Sequence, residues 1–125
     1  EKQVHFLGSR NDIPLLLKEL DAFVYSSRHD TFGIAVLEAM ASGVPIIVND
    51  WKVMLEITKN GHYGIIFRTG DDTDLKEKLM IFLDQIDAFK QKAKNLKNVI
   101  SKNYNITEYL RKLKNVYSSM SSHLK

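Results

Sequence analysis

Cysteine is missing from the 125 residues. That absence excludes disulfides and thiolate zinc sites and favours a reducing compartment, the cytoplasm. No apolar stretch reaches the roughly 20 residues that a bilayer-spanning helix needs, and no secretory leader pattern opens the chain. Histidine is sparse: His5, His29, His62 and His123 are scattered, so a histidine-built metal site is not expected. Arginine is scarce too, four against fourteen lysines. Without a basic platform interleaved with aromatics, that scarcity argues against nucleic-acid recognition. Internal repeats and low-complexity segments are also lacking.

What is present suits one globular domain with a modest core, at 44% hydrophobic and 26% charged residues. The sequence opens inside an apolar run without an initiator methionine, which suggests a piece of a larger protein. A net charge of +3 hides a division. Residues 1–86 carry nine basic against thirteen acidic side chains, a balance of −4; residues 87–125 carry nine against two, a balance of +7. Such a tail reads first as a solvated helix face, and it leaves peripheral contact with an anionic membrane open.

Apolar periodicity lays out an alternating chain. Val4 to Leu7 reads as a strand, then a helix opens at SRNDIPLLLKEL with Asn11 or Asp12 as cap and Pro14 in its first turn. AFVY, residues 22–25, and PIIV, residues 45–48, read as strands buried on both faces. Between them a helix runs from about Gly33 to Ser42, capped by Gly43. Residues 53–58 read as one or two helical turns ended by Asn60-Gly61, and YGIIF, residues 63–67, as a last strand. From Asp72 onward the pattern is helical, with one face of Leu75, Leu79, Phe82 and Ile86 and a second of Phe89, Ala93, Leu96 and Ile100. A final stripe holds Leu110, Leu113, Tyr117, Met120 and Leu124. Alternation of this kind implies a parallel sheet wrapped by helices, which binds ligands beyond the carboxyl ends of its strands.

The loop after the second predicted strand leads into RHDTFGIAVLEAMASG, residues 28–43. A helix starting at Gly33 offers unpaired N–H groups and partial positive charge, a site for phosphate. Gly33 has no side chain, so an anion can approach the backbone, and a branched residue there would block the anion while sparing the fold. Glu38 lies five residues on, roughly 7.5 Å along the axis. There it suits a diol beside the phosphate, because a carboxylate accepts two hydroxyl hydrogen bonds. Phosphate and ribose together describe a nucleoside diphosphate, and Asp30, before the tip, then faces whatever that diphosphate carries.

The stretch FLGSRNDIPLLLKELDAFVYSSRHDTFGIAVLEAMASGVPIIVNDW resembles the C-terminal half of retaining GT-B glycosyltransferases of the GT4-type group. Asp30 and Glu38 match the acidic pair of that group in spacing. The resemblance implies an α/β, Rossmann-like parallel sheet flanked by helices, the C-terminal part of a donor-binding domain. Residues 1–103 would be the partial nucleotide-sugar-binding domain and 104–125 its C-terminal amphipathic helix. It further implies that the backbone of Thr31, Phe32, Gly33 and Ile34 holds the donor diphosphate, Glu38 the ribose, and Asp30, the catalytic candidate, the donor sugar. Gly8, Ser9 and Arg10 would lie against the base, mainly through backbone groups. No metal or other cofactor is implied. The family's Arg and Lys for the diphosphate would precede Glu1, as would the domain that takes a glycan or lipid-linked acceptor, so the piece alone would be inactive. Bacterial polysaccharide or glycolipid synthesis at the inner face of the membrane is the expected setting.

Two positions depart from the pattern. Asp30 stands where a Glu is usual, and WKVMLE, residues 51–56, stands where relatives carry a glycine pair. Taken singly, Asp30 reads as a helix cap, Glu38 as a solvated helix residue and Phe32 as core. Asp72-Thr73-Asp74 reads as the acidic first turn of a helix before it reads as a metal motif. Asn105-Ile106-Thr107 reads as a helix start before a glycosylation acceptor. The rival functions are a nucleotide-sugar epimerase or phosphorylase on the same architecture, and a non-catalytic nucleotide- or membrane-binding module.

Overall fold

A computed structural model describes residues 3–122. In chain order the elements are α1 (Ile13–Lys18), β1 (Phe23–Tyr25), α2 (Ile34–Ser42), β2 (Ile46–Asn49), α3 (Lys52–Thr58), β3 (Ile65–Phe67), α4 (Asp72–Asp84), α5 (Ile86–Asn103) and α6 (Ile106–Ser122). The strands form one parallel sheet in the order β1-β2-β3, with Phe23 opposite Ile46 and Ile47 opposite Ile65. Helices cover both faces, as the alternation of apolar runs predicts.

Strand β2 is central and fully buried, and its pleat divides the core. Ile46 and Val48 face a cluster with Leu17, Val36, Met40, Met54, Ile57 and Ile100. Ile47 points the other way, against Phe67 and Phe82, with Leu75, Leu79, Ile86 and Phe89 packed around them. The first predicted face thus serves one side of the sheet, while the second divides: Phe89 joins the Ile47 cluster and Ile100 the other. Gly43 ends α2 in the left-handed conformation, φ +80°, where its N–H reaches the carbonyl of Met40.

Three expectations are corrected. Val4 to Leu7 is not a strand, and Phe6 is 97% exposed. β1 is an edge strand rather than one buried on both faces. Among the described residues no strand pairs with its outer side, and Val24 is left exposed. An apolar run becomes a strand only where a neighbour takes its backbone hydrogen bonds, and among the described residues none does so for Val4 to Leu7. Asp12 sits at the N-cap of α1 without capping it, because its carboxylate is paired with Arg10.

Helix α6 leaves the body of the domain. Ile106, Tyr109, Leu110, Val116, Tyr117 and Met120 are all exposed, so its apolar stripe contributes nothing to this core. Leu124 lies outside the described residues.

Candidate functional site

The loop from Ser26 to Gly33 crosses the carboxyl end of the sheet and is held by side chains from three elements. Asn49, fully buried at the end of β2, donates its Nδ2 hydrogen to the carbonyl of Ser27 at 3.0 Å. Trp51 donates its indole N–H to the carbonyl of Asp30 at 3.3 Å, and its ring meets His29 edge-on. Tyr25, at the end of β1, donates its hydroxyl to Oδ2 of Asp30 at 2.6 Å. Asn49 Oδ1 has no partner among the described residues, a buried acceptor at the ligand end of the sheet.

Asp30 is the hub of this arrangement. Its Oδ1 accepts the backbone N–H groups of Phe32, at 2.8 Å, and Gly33, at 2.7 Å. The Tyr25 hydroxyl, then these two amides, hold the Asp30 carboxyl below the usual carboxylate range. The same contact with Asp30, followed by burial, pushes the Tyr25 phenol up. Asp30 therefore braces the loop that enters α2 and does not cap the helix, whose N-cap residue is Gly33 with no side-chain cap bond.

These two bonds decide which donors stay open. The amides of Phe32 and Gly33, expected to face a diphosphate, are already taken by Asp30. The next three N–H groups, of Ile34, Ala35 and Val36, have no hydrogen-bond partner among the described residues, since the first intrahelical bond of α2 runs from Leu37 to Gly33. They lie at the positive end of the helix. Gly33 is left-handed, with φ +74°. A Cβ there would collide with Cδ1 of Ile57 and lie 3.1 Å from Cε of Met54. The bare side of Gly33 thus faces the core and not an anion, which corrects the reason given for this glycine from sequence.

Glu38, one turn beyond the open amides, is exposed. It lines a cavity of about 500 Å³ together with Phe32, Ile34, Leu37, Tyr104 and Lys112 among others. The cavity lies between α2 and the α5–α6 junction and falls in the size range of small-ligand sites. Phe32 belongs to its wall at 60% exposure, so it is not a core residue as expected. The structure therefore brings Phe32, Ile34 and Glu38 to one concavity with the helix tip beside it. Gly8, Ser9 and Arg10 lie apart from this cavity; Arg10 is tied to Asp12, and the run is exposed.

Tyr25, Asn49 and Trp51 escaped the sequence reading. A phenol at the end of β1 and an amide in the otherwise aliphatic run IIVN were the available signals. The two motifs read as helix starts are helix starts. Asp71 caps α4 by accepting from Asp74 N, and the Asp74 carboxylate accepts from Arg68 N. Asn105 accepts from Glu108 N at the tip of α6.

Residues 1–103 match the family described as Glycosyl transferases group 1. The chain belongs to that family. Among its relatives is the N,N'-diacetylbacillosaminyl-diphospho-undecaprenol alpha-1,3-N-acetylgalactosaminyltransferase of Campylobacter jejuni, 36% identical over 121 residues, 90% of this chain and 32% of that protein. A second is the Escherichia coli UDP-Gal:alpha-D-GlcNAc-diphosphoundecaprenol alpha-1,3-galactosyltransferase, 31% identical over 96% of this chain and 31% of that protein. Among solved structures, Anabaena HepE in complex with UDP superposes with a TM-score of 0.86 at 24% identity, over 94% of this chain and 33% of that one. This group 1 chain thus has the Rossmann-like fold of that structure, and it spans about a third of the length of the relatives it matches. None of its described helices is long and apolar enough to cross a membrane.

Proposed function

We propose that the chain is the donor-binding part of a glycosyltransferase that moves a sugar from a nucleoside diphosphate to a glycan or lipid-linked acceptor. One observation carries the reading: three unpartnered amides at the tip of α2 stand one turn from Glu38, which lines an adjoining cavity of nucleoside size. The amides of Ile34, Ala35 and Val36 bind the diphosphate, Glu38 the ribose hydroxyls, and Asp30 the transferred sugar. Thr31, Phe32 and Gly33 shape the approach, and Gly8 to Arg10 border the base. UDP is the favoured nucleotide, because HepE is solved with UDP and with UDP-glucose. A polyprenyl-diphosphate sugar is the favoured acceptor, because the two bacterial relatives are named for such substrates. Such an acceptor is consistent with work at the cytoplasmic face of a membrane.

Chemically, an amide array at a helix N-terminus stabilises the negative charge that grows on the leaving diphosphate as the glycosidic bond breaks. The proposed mechanism relies on such dipoles, requires no metal, and retains the anomeric configuration. Calorimetry of the full-length protein with UDP and GDP, with and without EDTA, tests the binding. Proton NMR of the first-formed product reads the anomer. Binding of UDP at micromolar level that survives EDTA is the expected result; no nucleotide binding overturns the reading.

A further inference from the structure

The Asp30 carboxylate is more constrained than a donor-sugar contact requires. A carboxylate has about four lone-pair positions. Phe32 N and Gly33 N fill both on Oδ1, and the Tyr25 hydroxyl fills one on Oδ2. A single acceptor position remains, on Oδ2, and its direction is set by where the phenol sits. Tyr25 is itself held in register, since β1 pairs with β2 at Tyr25–Val48 and its ring stacks on Phe23 with centroids 6.0 Å apart. The rigid edge of the sheet thus aims one oxygen of a loop residue.

From this geometry we infer that Tyr25 is a positioning residue of the transfer site, presenting Oδ2 of Asp30 as one directed acceptor for a hydroxyl of the donor sugar. The inference rests on the proposed donor reading and deepens it. It also accounts for the shorter acid. A glutamate in this rotamer would carry its carboxylate one methylene further, past the position at which the phenol oxygen stands 2.6 Å from Oδ2. Tyr25 and Asp30 form a matched pair, in which ring and hydroxyl take up the length that a longer acid would need. A hydrogen bond aimed at a sugar contributes to the rate by holding it in the reacting geometry, so a misaimed oxygen weakens recognition of the sugar and leaves the nucleotide alone.

The test uses the full-length protein and the variants Y25F, D30E and Y25F/D30E. Calorimetry measures affinity for UDP and for UDP-glucose, UDP-galactose and their N-acetylamino forms. In Y25F, UDP affinity stays within twofold of wild type, while the ratio of UDP-hexose to UDP affinity falls at least fivefold for the best-bound sugar. D30E shows a similar loss. The double variant returns the ratio to within threefold of wild type, because the missing oxygen makes room for the added methylene, and a merely structural role would not produce that rescue. A Y25F ratio within twofold of wild type, equal losses for UDP and UDP-hexose, or a double variant no better than D30E each overturn the proposal. The side-chain carboxyl resonance of Asp30 supplies a ligand-free check: its titration moves to higher pH in Y25F, and an unmoved midpoint overturns the contact itself. Wild-type protein that binds none of these nucleotides sinks the donor reading, and the proposal falls with it.

Discussion

The Cβ that Gly33 lacks would fall on the Cδ1 atom of Ile57, so the first turn of α2 sits against α3 with no room for a side chain between them. The loop that carries Asp30 and the helix that carries Glu38 are fixed to the core at this point. The consequence for substitution is direct. Gly33→Ala meets a left-handed backbone, costing about 1–2 kcal/mol, while Cδ1 of Ile57 and Cε of Met54 are side-chain ends that can turn aside. Chemical denaturation of the variant is expected to show a loss of about 1–2 kcal/mol from the backbone alone. An unchanged midpoint would mean that the first turn of α2 relaxes out of the left-handed conformation at no cost.

Glu38 gives a contrasting case. It is exposed and forms no hydrogen bond among the described residues, so Glu38→Ala leaves the melting temperature of the domain nearly unchanged. On the proposed donor reading, the same substitution in the full-length protein weakens UDP binding by roughly 1.5–3 kcal/mol, the range for hydrogen bonds to a charged group. Equal UDP affinity in the two proteins would remove Glu38 from the ribose.

Helices α5 and α6 should differ sharply in what a truncation costs. Ile100 is 1% exposed between α5 and the core, and Ile100→Ala is expected to cost about 2–5 kcal/mol. Leu110 on α6 is exposed, and Leu110→Ala should change stability by no more than about 0.5 kcal/mol. Urea unfolding of both variants of this chain separates the cases; similar losses would show that α6 packs on the domain in solution.

Acid should loosen the ligand end of the sheet. Asp50 accepts from the hydroxyl of Thr69 at 2.6 Å and from its N–H at 2.8 Å, and these bonds hold its carboxyl below the usual range. A folded-state value below the unfolded one of about 3.9 means that the unfolded chain binds more protons. The stabilisation is therefore complete above about pH 4 and is lost as pH falls through the lower folded value. Asp50→Asn should flatten the stability profile in that window, and an unaltered acid slope would show that Asp50 does not link the two loops.

Much of the architecture was legible in the residues alone, because it depends on short-range periodicity. The run IIVN, the spacing of Leu75, Leu79 and Phe82, and the Gly43 cap each report a local conformation that any packing must respect. The family was legible by resemblance, since Asp30 and Glu38, around Phe32 and Gly33, match in spacing the acidic pair of that group. What the residues could not reveal depends on partners distant in sequence. Val4 to Leu7 has strand composition and no neighbour to pair with, so it stays extended and exposed. Phe32 is as apolar as Phe67, yet only the placement of α5 and α6 makes it a cavity wall. The hydroxyl of Tyr25 and the carboxylate of Asp30 meet because the loop folds back over the strand that precedes it. Gly33 is a glycine because the turn into α2 is left-handed there, with Ile57 and Met54 of α3 close on the side where a Cβ would stand.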